Sequence, residues 1–144
     1  MEKNLLYKGI LVKEKTGLMK LPLIRIARGI ALFSKICLRK DLFDKFSSGN
    51  PDVETLSVLE HEKKHIERGK KIGALRMVIL YWLLPSVRID EELVAIREEM
   101  KVFKNNKQSF DFNKKAKNLS GMPYLWATSY KNAYRRLTKL WEEI

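Results

Sequence analysis

The chain has 144 residues, 45% hydrophobic and 32% charged, which excludes a disordered segment and predicts a single folded domain over residues 1–144. One cysteine, Cys37, excludes an internal disulfide framework. The net charge of +12, from 29 Lys and Arg against 17 Asp and Glu, favours nucleic acid, anionic lipid or acidic polypeptide as partners, although no nucleic-acid-binding motif accompanies the basic residues.

Residues 5–46 read as extended structure. Leu5-Leu6-Tyr7 and Ile10-Leu11-Val12 flank Gly9, and Lys13 to Gly17 has turn composition. Two further strands are predicted at Leu21–Ala27 and Ile30–Leu38, separated by Arg28-Gly29, with Pro22 marking an edge and a helix within 22–36 as the competing assignment. Ser47 to Pro51 is a break. Asn50 suits an N-cap and Pro51 a first helical turn, with Asp52 and Glu54 complementing the dipole. The helix is expected to run to Arg68 and stop at Gly69, burying Val53, Leu56, Leu59 and Ile66.

A second helix is predicted from Lys70 to Leu84, ended near Pro85, and a third from an Asp90 cap to Lys104. Asn105 to Gly121 reads as a polar loop. A last helix is predicted over Pro123 to Glu142, with Leu125, Ala133, Leu137, Leu140 and Trp141 inside; Trp82, Trp126 and Trp141 all read as core residues. The N-terminus lacks the pattern of a signal peptide, and Ile72 to Leu84 is interrupted by Arg76 and too short to cross a bilayer, so the expected location is the cytoplasm, with no transmembrane segment.

His61-Glu62-Lys63-Lys64-His65 has the form H-E-x-x-H and lies inside a helix predicted on independent grounds. Histidines four apart share one helix face, so their ring nitrogens can converge on one Zn2+ ion. Glu62, beside the first ligand, is placed to take a proton from an attacking water. Both histidines of the chain are spent in this motif. A catalytic zinc needs a third protein ligand, and the remaining source is a carboxylate, with Asp90-Glu91-Glu92 one helical hairpin downstream.

Here the chain resembles the gluzincin branch of the zinc metallopeptidases, the zincins. In that family the third ligand is the glutamate of an E-x-x-A motif, which maps onto Glu92-Leu93-Val94-Ala95. The resemblance covers residues 30–100 and implies a small α+β zincin-like domain that hydrolyses peptide bonds, with His61, His65 and Glu92 on zinc and Glu62 as general base. Many gluzincins continue E-x-x-A with an aspartate; Ile96 stands there instead, so a carboxylate that orients a histidine must come from elsewhere. Glu91, Glu98 and Glu99 are alternatives to Glu92. The family also uses a strand ahead of the active helix to pair with an extended peptide, a place that falls to Ile30–Leu38.

Stabilising the oxyanion falls to Tyr124, Tyr130, Tyr134, Arg88, Arg135 or Arg136. Two other readings compete. One is a non-enzymatic basic protein that docks nucleic acid or an acidic partner around a structural zinc. The other lies on a membrane surface through Ile72–Leu84, Lys70 and Lys71.

Overall fold

The computed structural model describes residues 5–20 and 27–144; the strand expected at Leu21–Ala27, with Pro22, lies almost wholly outside them. The fold is α+β, with the short strands first and the helices after. Strand β1 (Leu5–Tyr7) turns through Lys8 and Gly9, both at positive φ, into β2 (Ile10–Glu14). Two consecutive positive φ values match the tight reversal that right-handed strand twist favours. A 3₁₀ turn follows at Gly17–Lys20.

The predicted strand Ile30–Leu38 is instead a hairpin. Strand β3 (Gly29–Leu32) turns at Phe33, at φ 51°, and returns as β4 (Lys35–Leu38). The sheet order is β1-β2-β4-β3, with β2 parallel to β4 and the outer pairs antiparallel. Among the described residues β3 is therefore an edge strand.

Extended structure ends earlier than expected, because helix α1 occupies Lys40–Ser47. Leu42, Phe43 and Phe46 have helical spacing, and Leu42 is completely buried. Helix α2 spans Val53–Ile72; its cap is Asp52 rather than Asn50, accepting the Thr55 N–H at 2.8 Å. The helix runs through Gly69 and stops at Gly73, whose φ of 96° ends the ladder. Leu59 and Ile66 are buried as expected, while Val53 and Leu56 are half-buried.

Helix α3 (Ala74–Leu83) turns directly into α4 (Pro85–Asn105). Pro85 begins α4, so Asp90 lies in its second turn and caps nothing. The polar segment 105–121 contains helix α5 (Phe112–Leu119), capped by Asp111. Helix α6 is Tyr130–Glu142, capped by Ser129. It starts seven residues later than predicted, which leaves Leu125 and Trp126 exposed in the preceding turn.

Apolar burial divides into two clusters. Val12, Ile36, Leu38, Leu42, Val58, Leu59 and Ile66 join the sheet to α1 and α2. Ile89, Leu93, Ile96, Met100, Ala116, Leu119, Ala133 and Leu137 join α4, α5 and α6, with Leu140 and Trp141 packed against them. The two meet where α2 lies along α4. None of the helices among the described residues is long and apolar enough to cross a membrane.

Candidate metal centre

Along the α2–α4 seam, helical periodicity decides which side chains meet. His61 and His65 sit one turn apart on α2, and their Nε2 atoms are 3.1 Å from each other. Glu92 reaches them from α4. Its Oε2 is 3.4 Å from His61 Nε2, and its Oε1 is 3.4 Å from His65 Nε2. The three donors lie within 4.8 Å of one another. Ligands about 2.0–2.1 Å from a tetrahedral zinc ion sit roughly 3.3 Å apart; the two ring nitrogens are at that spacing, and each faces a different oxygen of the Glu92 carboxylate at nearly the same distance. Glu92 Oε2 is buried with no hydrogen-bond partner. That state is costly for a carboxylate oxygen, and a cation relieves it. Nitrogen, nitrogen and carboxylate donors fit a small divalent ion such as zinc.

The electrostatics follow from this crowding. Burial pushes the His61 imidazolium down, but the adjacent Glu92 and Glu99 carboxylates outweigh it and raise His61 to about 10. Burial works against ionised Glu92, yet His65 and His61 hold it well below the usual carboxylate range. Tyr81, on α3, donates its hydroxyl to Glu92 Oε1 at 2.7 Å. Burial and the Glu92 charge raise its own ionisation well above the usual tyrosine range.

Glu99 sits behind His61, with Oε2 3.2 Å from Nδ1. The distance suits a hydrogen bond but the alignment does not, and Nδ1 lacks a well-directed acceptor. Lys115, from α5, donates to Glu99 Oε2 at 2.7 Å, and Arg28 lies 3.8 Å from Oε1. Both Glu99 and Lys115 are buried. Burial opposes ionised Glu99, but Lys115 and His61 bring it down to about 2 from 4.5. Its stabilisation is therefore complete above about pH 4.5 and is lost as pH falls through about 2. Lys115→Met leaves a buried carboxylate without its main cation, so we expect a loss of about 3 kcal/mol at pH 7. Urea unfolding measures this, and an unchanged midpoint refutes the pairing.

Glu62 is buried next to His61 but is not one of the converging donors. It faces the start of β3. A Cβ on Gly29 would come within 2.7 Å of Val58 Cγ1 and 2.9 Å of Glu62 Cγ. The strand approaches the helix this closely because residue 29 has no side chain. The buried Lys15 ammonium, which donates to the Ala27 carbonyl, feels the Glu62 charge.

The structure brings His61, His65 and Glu92 together, with Glu62 adjacent; of the alternative carboxylates, Glu99 lies behind His61 and the other two are directed elsewhere. Glu91 is held in a fork by Arg68 at 2.5 and 2.9 Å, and Glu98 accepts from Lys101 at 2.8 Å. Of the oxyanion candidates, Arg88 donates to the carbonyls of Tyr81, Trp82 and Tyr124. Arg136 pairs with Asp90, Arg135 with Asn132, and Tyr130 with Asn113. Tyr134 packs against Tyr130 at a tilt near the surface. Burial, and then the charge of Glu92, raises Tyr124 well above the usual tyrosine range.

Sequence reasoning missed the roles of Tyr81, Glu99 and Lys115. For Glu99 a signal existed, since it follows Glu92 by seven residues and so returns to the same face of α4. Tyr81 sits in an apolar run that marks no position as polar, and Lys115 lies in a segment read as loop. No protein-family model matches the chain, and neither curated proteins nor solved structures yield a match.

Proposed function

We propose that the chain is a zinc-dependent peptidase of the zincin type, with His61, His65 and Glu92 holding the ion and Glu62 as general base. The observation that carries this reading is the convergence of two histidines and a carboxylate with an orphaned oxygen, all within metal-binding reach of one another, beside a carboxylate that is not a donor. When bound, zinc supplies Lewis acidity that brings a water's pKa toward neutrality and polarises a carbonyl. Glu62 accepts the proton of the attacking water and returns one to the leaving amine. Glu99 places a charge on the far side of His61, backed by Lys115, and Tyr81 donates to the Glu92 carboxylate. Tyr124, whose ionisation feels the Glu92 charge, is the candidate donor to the developing oxyanion. The edge of β3 begins against Glu62 and offers backbone groups to an extended peptide.

Purified protein is expected to hold about one zinc per chain, with tight binding abolished in His61→Ala and His65→Ala. Elemental analysis and a competitive chelator titration measure this. Unaltered content and affinity in both variants would refute the site.

A second reading attaches to the hollow between α4 and α6, where Arg97, Arg135, Arg136 and Lys139 outnumber Asp90 and Glu143. It lies on the face of α4 turned away from Glu92 and Glu99, and could take an acidic partner without involving the metal. Binding there is expected to weaken steeply with salt.

A further inference from the structure

Helix α3 is apolar in almost every position, yet none of its ten residues is buried. Ala74, Met77, Leu80 and Tyr81 are half-buried toward the molecule. Leu75, Val78, Ile79, Trp82 and Leu83 form the opposite stripe, at spacings of three, four, seven and eight, and all are exposed; Leu75 is 72% and Trp82 63% accessible. The end of this stripe is extended by a second segment. Buried Arg88 donates to the carbonyls of Tyr81 and Trp82 and also to that of Tyr124, which fixes the turn carrying exposed Leu125 and Trp126 near the end of α3. A clamped apolar surface of this extent is a docking face rather than scattered surface hydrophobicity.

Its charge setting identifies the partner. From Arg68 to Ile89 there is no Asp or Glu. Lys70, Lys71 and Arg76 make no ion pair among the described residues. Protein interfaces are depleted in lysine, whereas lysines flanking a stripe of aliphatic side chains and tryptophan are what an anionic lipid surface attracts. Ten helical residues span about 15 Å, half of a hydrocarbon core of about 30 Å, a length suited to lying in the interface.

We propose that α3, with the 122–126 turn, is an interfacial element that seats the protein on an anionic bilayer surface. Tryptophan is the side chain that favours the headgroup level, and Trp82 and Trp126 supply it at the two parts of the face. Neither the metal nor catalysis takes part in this membrane contact. Metal-free protein is expected to bind as the loaded form does, so its failure and that of the peptidase reading are separable.

The test is sedimentation of the full chain with vesicles of phosphatidylcholine alone or mixed with phosphatidylglycerol, in the presence of chelator. Protein is expected to sediment with the mixed vesicles and only weakly with the neutral ones. Ile79→Glu combined with Trp82→Glu, both at exposed positions, should weaken binding at least roughly tenfold, and Lys70→Glu with Lys71→Glu by a similar factor. Brominated lipid should quench the parent's tryptophan fluorescence, a readout that needs no variant. Absence of sedimentation with mixed vesicles, or equal sedimentation of the Ile79/Trp82 variant, overturns the proposal. So does a parent dimer that this variant converts to monomer and that ignores vesicles, because a second copy then covers the face.

Discussion

Glu62→Gln is expected to keep the fold and the zinc while losing peptide hydrolysis by at least roughly a hundredfold, the low end of what general acid–base catalysis contributes. The amide preserves volume and hydrogen-bonding capacity in a pocket closed by Gly29 and Val58, so little repacking follows. It removes the charge of a carboxylate that is buried beside the donor cluster without being one of its donors. The measurement is cleavage of a broad peptide library by parent and variant, with zinc content determined on the same samples. Equal cleavage at equal zinc content would sink Glu62 as the base. A parent that cleaves nothing across such libraries would count against the peptidase reading.

Glu92→Ala is expected to weaken zinc binding by more than roughly a hundredfold, beyond the effect of losing an outer-shell partner, while Glu91→Ala leaves it nearly unchanged. The two residues are adjacent in sequence but about 100° apart around α4, and their surroundings differ accordingly. Glu92 faces both histidines and accepts from Tyr81, whereas Glu91 is forked by Arg68. Losing Glu91 should therefore cost stability at the α2–α4 contact rather than affinity. Competitive titration against a chromophoric chelator separates the two outcomes, and a larger loss of affinity in Glu91→Ala would reverse the assignment.

The parts of this architecture that were legible in the sequence are those where spacing alone determines proximity. His61 and His65 needed only helical geometry, and a carboxylate across the hairpin needed only a sharp reversal between α2 and α4. What stayed hidden depended on non-local packing or on unmarked turns. The β3–β4 reversal at Phe33 carries none of the Gly, Asn or Asp that mark positive φ, so two short strands read as one. Gly69 looked like a stop, but Gly73 took that role; a glycine inside a long helix costs only about 1 kcal/mol. Asn105 to Gly121 looked like loop because α5 is mostly polar, yet Ala116 and Leu119 anchor it in the C-terminal cluster and deliver Lys115 to Glu99. Trp82 and Trp126 were assigned to the core by type, and their exposure is decided by tertiary placement.

The division of apolar burial into two clusters has a mechanical consequence. His61, Glu62, Glu92, Glu99 and Lys115 lie at the boundary between them. The junction is thus held by opposed charges rather than by continuous hydrocarbon. Oily contacts tolerate small displacements, but buried charges forfeit much of their compensation once a partner moves. Partial opening of the molecule should begin along this joint, each half keeping its own oil-filled interior while the two come apart. A cation shared by His61, His65 and Glu92 would act as a rivet across the joint, binding the two halves into one cooperative unit.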